Sequence, residues 1–121
     1  MIYRNLKVWQ LGKELTIDIY NITKLFPAEE RFGLISQINR AAVSIPSNLA
    51  EGLSRTSNKE QIHFIEFSYG SLMELACQIE IAYELKYINN EQINDIFEKI
   101  EKLAVMLSNY KKSKKLRDNA E

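Results

Sequence analysis

Four stretches of this chain repeat apolar residues every third or fourth position, and only short polar breaks separate them. That period is one face of an α-helix, so the spacing predicts four amphipathic helices and leaves little room for strands. In the first stretch, about Leu6 to Leu25, Val8, Leu11, Leu15, Ile19, Ile22 and Phe26 recur at spacings of 3, 4, 4, 3 and 4. Asn5 is its predicted N-cap, and Pro27 stops it. The second helix is expected to start near Glu29 or Glu30, where carboxylates suit the positive end of the helix dipole. Its apolar residues Ile35, Ile38, Ala42, Ile45, Leu49 and Gly52 recur at 3, 4, 3, 4 and 3.

Pro46 falls inside that second rhythm without shifting its phase. A proline in a helix interior costs roughly 3 kcal/mol, because it removes one hydrogen bond and crowds the preceding turn. The unbroken phase predicts a continuing helix kinked at Pro46; the alternative is two shorter helices with Pro46 opening the second.

Ser57-Asn58-Lys59-Glu60 has the capping-box spacing and opens the third helix, expected to run to about Lys86 with Ile65, Leu72, Leu75, Ile79 and Ala82 inward. Phe64, Tyr69 and Tyr83 flank that face, and Asn90 is the predicted N-cap of the fourth helix. Ile93, Ile96 or Phe97, Ile100, Leu103, Leu107 and Tyr110 form the fourth apolar stripe. Long helices joined by short connections predict an all-α, up-down-up-down four-helix bundle. At 121 residues it is expected to be a single domain over 1–121, with 1–4 and the lysine-rich 111–121 frayed.

Cysteine usage and hydropathy narrow the setting. The one cysteine, Cys77, excludes a disulfide within the chain, and its neighbours Leu75, Ala76 and Ile79 make a buried, inert thiol the expectation. The N-terminal MIYRNLKVWQ lacks the apolar run of a signal peptide, and no segment has the roughly 18 uninterrupted apolar residues of a membrane span. A cytoplasmic protein is expected.

The second helix carries the unusual outer face. From Phe32 to Ala50 its 19 residues include one charge, Arg40. Gln37, Arg40, Ser44, Asn48, Glu51 and Arg55 form a polar stripe roughly opposite the apolar one, among the small residues Ser36, Ala41, Ser47 and Ala50. A solvated stripe is normally Lys and Glu, whereas charge depletion marks the centres of protein interfaces. The expectation is therefore an oligomer interface at Gln37, Arg40, Ser44, Asn48 and Glu51, with Arg40 and Glu51 as candidate intersubunit partners. Within the chain, the alternatives are a pair between Arg40 and Glu74 and an Asn48 side chain satisfying the carbonyls that Pro46 frees.

The segments LKVWQLG (6–12), FPAEERFGLISQINRAAVSIPSNLAEG (26–52) and GSLMELACQIEIA (70–82) resemble the bacterial four-helix bundle proteins first noticed as reading frames inside intervening sequences of 23S ribosomal RNA genes. The resemblance runs from Tyr3 to about Tyr110, and its central motif, Glu30 to Leu34 and Arg40 to Pro46 through Ala50 to Gly52, is long and specific. It implies an up-down bundle, assembly into a ring-like homopentamer and no enzymatic activity. A related branch, the accessory proteins of diversity-generating retroelements, forms strongly basic pentamers that bind a reverse transcriptase and nucleic acid. This chain departs from that branch: it has 16 basic and 16 acidic residues, and residues 61–110 hold 3 basic and 8 acidic ones. Asn39 also stands where relatives often place an arginine beside Arg40, which thins any basic patch there.

Glu60-x-x-His63 has the spacing of di-iron bundles, which need two such motifs and two more inward carboxylates. The chain has a single histidine, and Glu60 fits the capping box, so no metal, cofactor, catalytic set or small-molecule substrate is expected. The alternative to pure self-assembly is weak, salt-dependent and sequence-indifferent binding of RNA or DNA. Its candidate contacts are Arg40, Arg55, Lys59, Lys111, Lys112, Lys114 and Lys115, with Arg117 close by. Lysines at a helix C-terminus also complement its dipole without any ligand. Trp9, Phe64, Phe67, Tyr69 and Tyr83 are expected to pack in the core rather than stack bases, which would need basic neighbours.

Overall fold

The computed structural model describes the backbone of residues 1–120 and the side chains of residues 1–117. After a 3-10 turn at Ile2–Asn5 come α1 (Lys7–Thr23), a second 3-10 turn (Ala28–Glu30), α2 (Leu34–Leu53), α3 (Asn58–Glu84) and α4 (Asn90–Ala120). Each helix packs against its sequence neighbours, α1 closes against α4, and among the described residues the diagonal pairs bring no Cα atoms within 8 Å of each other. The result is the expected up-down-up-down four-helix bundle.

The core is made of the apolar stripes read from the sequence. Leu15, Ile19, Ile38, Ile45, Leu72, Leu75, Ile79, Leu103 and Leu107 have no exposed surface. Burying each such side chain is worth about 1.5–3 kcal/mol relative to leaving it in water. Polar links then set how neighbouring helices register. Lys99 of α4 pairs with Asp18 of α1, and Thr23 Oγ1 donates to Asn39 Oδ1 across α1 and α2 at 2.9 Å. At the loop end of the bundle the Tyr87 hydroxyl donates to Glu30 Oε2 at 2.8 Å, which raises the Tyr87 pKa because ionising the phenol would lose that bond.

Pro46 lies within an unbroken α2, so the one-helix expectation holds and the split does not. The carbonyl that Pro46 leaves without its amide partner belongs to Ala42. The hydroxyl of Thr16 reaches across from α1 to within 3.0 Å of it, and also lies 2.8 Å from Gly12 O. Gly12 lies at this contact, where a Cβ would sit at ordinary packing distances, 3.5 Å from Ile45 Cγ2 and 3.7 Å from Pro46 Cβ, so the approach does not depend on the glycine. Asn48 does not serve Pro46. Its amide donates to Ser44 O at 2.8 Å, one turn back along its own helix.

Helix ends differ from the sequence expectation in instructive ways. The N-cap of α1 is Leu6, without a side-chain bond, rather than Asn5. The second helix begins at Leu34, not at Glu29 or Glu30, which sit in a 3-10 turn after Pro27. There Glu30 caps the later start, its Oε1 accepting from Leu34 N at 3.3 Å. The same oxygen would lie 2.8 Å from a Cβ at position 33, so Gly33 is what lets the carboxylate fold in. At α3, Ser57 caps as expected, accepting from Glu60 N at 3.2 Å. The box that opens α4 is shifted by one, with Asn89 and Gln92 bonding each other's backbone amides at 2.8 and 2.9 Å in place of an Asn90 cap. Past Lys111, where fraying is predicted, α4 continues as helix to Ala120.

α3 stops in a Schellman motif: Tyr87 N donates to Ala82 O and Lys86 N to Tyr83 O, both at 2.9 Å. Lys86 takes the left-handed position, φ 66°, normally given to glycine.

Candidate self-association face

The residues singled out on α2 share one outer face, because positions three and four apart lie above one another on a helix. Gln37, Arg40 and Glu51 are exposed, while Ser44 and Asn48 are half-buried. Ser44 Oγ donates to Ala41 O at 2.8 Å, and Asn48 to Ser44 O, so these two polar groups already bond their own helix. Glu51 pairs with Arg55 at 3.0 Å, an i,i+4 contact within one chain, and is engaged apart from Arg40. Arg40 makes no ion pair among the described residues; the offered partner, Glu74, accepts from Gln78 Nε2 at 3.1 Å instead. Ser36, Val43 and Ser47 complete an exposed surface with one unmatched cation and no other net charge. Asn39 is turned away from it toward α1.

The candidate nucleic-acid contacts divide differently. Topology brings Arg55, Lys59 and the end of α4 to one end of the bundle, with Arg40 well away along α2. Arg55 is held by Glu51 and lies 4.9 Å over the Phe64 ring. Lys111 bonds Glu66 at 3.2 Å. Lys114 is only 8% exposed, its ammonium 5.5 Å from the centre of the Tyr110 ring; burial, and then the charge of Arg117, push its pKa down. Lys59, Lys112, Lys115 and Arg117 remain exposed.

His63 stacks on Phe67 with ring centres 5.6 Å apart and lies 3.8 Å from Glu66, while Glu60 sits at the helix cap. No group of three or more His, Cys, Asp or Glu side chains is placed to hold a metal among the described residues. Nor is any helix there long and apolar enough to cross a membrane.

Two expectations about α3 are overturned. Cys77 is exposed, not buried. Its apolar sequence neighbours Leu75 and Ile79 are each two positions away, which is about 200° around the helix, so they point inward while Cys77 points out. Phe67 and Tyr69 are 53% and 38% exposed rather than packed in the core. Phe67 belongs to an outer stripe with Gly70, Glu74, Cys77 and Ile81, and sequence reasoning missed it. The available signal was the absence of any Lys or Arg from Gln61 to Leu85.

Architecture and face together define the class: an all-α, up-down-up-down bundle of four helices with one charge-depleted outer surface. Residues 4–109 match the 23S rRNA-intervening sequence proteins, and the chain belongs to that family. Among solved structures it is similar to a protein of unknown function from the S23 ribosomal protein family of Bacteroides thetaiotaomicron. The two share 24% identity and a TM-score of 0.81, over 87% of this chain and 98% of that one, a likeness of fold. No curated protein matches the chain in sequence.

Proposed function

We propose that the protein is a non-enzymatic assembly module, a homo-oligomer held together through the outer face of α2. The observation that carries this reading is the unmatched Arg40 at the centre of an exposed surface otherwise made of Ser36, Gln37, Val43, Ser44, Ser47 and Asn48. Small side chains let another backbone come close, and Ser44 and Asn48, already bonded to their own helix, cost little to desolvate. A lone guanidinium there supplies specificity by demanding a carboxylate from its partner. The resemblance drawn from the sequence makes five copies the expected number. A role for the assembly as an accessory factor on RNA or DNA has narrower support, since Arg55, Lys111 and Lys114 are engaged within the chain.

Native mass spectrometry of the purified protein tests the reading, with the nucleic-acid absorbance ratio taken on the same sample. A closed oligomer that Arg40→Glu reduces to monomers is the expected result. A wild-type monomer, or an assembly indifferent to Arg40→Glu, would remove the α2 face from the account. Co-purifying nucleic acid that deletion of residues 111–121 releases would bring the RNA- or DNA-binding role forward.

A further inference from the structure

Self-association through α2 leaves open what the face meets, and α3 presents the surface that fits. Its outer stripe of Phe67, Gly70, Glu74, Cys77 and Ile81 is exposed throughout. Phe67 and Ile81 leave 53% and 46% of their surface in water. Gly70 sits in the middle of a 27-residue helix, where glycine costs about 1 kcal/mol relative to alanine. Nothing lies within 4 Å of where its Cβ would be, so no contact inside the chain requires a glycine there. A missing side chain on an outward face is what the close approach of another helix needs.

Charge and register point the same way. From Gln61 to Leu85, α3 has four glutamates and no Lys or Arg, while the α2 face has the unmatched Arg40. Ser68 Oγ bonds Ile45 O at 2.8 Å, and Gly52 lies against Phe64. Because α2 and α3 are antiparallel with equal rise per residue, these contacts put Arg40 level with Glu74, Ser44 with Gly70, Ser47 with Phe67, and Ser36 with Cys77 along the bundle. Rotating copies about an axis parallel to the bundle preserves those levels. The α2 face of one copy then meets the α3 stripe of the next with its cation opposite a carboxylate and its serines opposite Gly70 and Phe67.

We propose that the outer stripe of α3 is the docking surface for α2 of a second copy, with Arg40 of one chain paired to Glu74 of the next. This rests on the reading of α2 as a self-association face and supplies its partner. The contact joins two different faces, so each copy both gives and receives, and such heterologous contacts close into a ring when the rotation between copies is a whole fraction of a turn.

Cys77 provides the probe. In the full chain carrying Ser36→Cys, a short bis-maleimide should yield a ladder of covalent multimers reaching the native oligomer's size. Wild type, with Cys77 alone, should stay monomeric on a denaturing gel, and Cys77→Ser should abolish the ladder. Arg40→Glu and Glu74→Arg should each weaken assembly at least about tenfold, and combining them should restore it. Covalent dimers through Cys77 in wild type would overturn the proposal by showing that α3 faces itself. An intact oligomer without a ladder, in which peptide mass spectrometry also finds no cross-link within one chain, would overturn it while leaving self-association through α2 standing. A monomeric wild type would overturn both.

Discussion

α2 and α4 bury equally regular apolar stripes, yet their outer faces are opposites. The exposed side of α4 carries Glu91, Asp95, Glu98, Glu101, Lys102 and Lys112, the ordinary dress of a helix in water. That of α2 carries serines, Gln37, Val43, a Glu51 neutralised by Arg55 and one unmatched arginine. Inner stripes decide that four helices pack, and any apolar residues of suitable size would serve. Outer stripes are free of that demand, so their composition records what lies against them. Solvent asks for charge, whereas a second chain asks for small, self-satisfied groups and a matched ion.

The sharpest way to break the contrast is to place the same charge on both faces. Ser47→Lys should abolish assembly by stranding an ammonium in the contact, whereas Asn109→Lys on exposed α4 should leave the native mass spectrum unchanged. Equal effects would mean the faces do not differ in role.

The contrast between inside and outside of α2 comes next in size. Ile45→Ala should cost about 2–5 kcal/mol in urea unfolding, because it opens a cavity beneath Pro46. Val43→Ala, on the outer side, should change the stability of the isolated chain by no more than about 0.5 kcal/mol. A smaller effect comes from the link that offsets Pro46. Thr16→Val keeps the shape but leaves the Ala42 carbonyl without its partner, and should cost about 1–2 kcal/mol. Asn48→Ala in the same assay should cost less than half of that, since Ser44 O keeps its place in the helix ladder. Smallest is the α3–α4 turn, where Lys86→Gly should raise stability by about 0.5–1 kcal/mol by relieving the left-handed backbone, read as a higher urea midpoint.

Side-chain phase was legible in the sequence wherever the argument rested on periodicity. The inward residues of all four helices, the continuity through Pro46 and the outward set on α2 all follow from 3.6 residues per turn. Cys77 and Phe67 show the same rule applied too loosely. Apolar neighbours in sequence do not bury Cys77, and helical spacing to other aromatics does not bury Phe67; the angle of each around α3 decides, and it points outward. Caps were legible only to within a residue or a few, as at Leu6, Leu34 and Asn89, since several polar residues competed for each end and the chain's path chose among them.

By itself, then, the order of residues determined the number of helices, the face each turns inward and the charge-poor character of the α2 surface. These depend on local geometry that no distant contact alters. Only the tertiary structure decided which group answers the Ala42 carbonyl, that Arg40 stays unmatched while Glu51 does not, and that the stripe from Phe67 to Ile81 stands level with it. Each of those depends on distances between helices, and helix-to-helix distance is set by close contacts such as Gly52 against Phe64, where a Cβ would lie 2.7 Å from Phe64 Cβ, which no periodicity encodes.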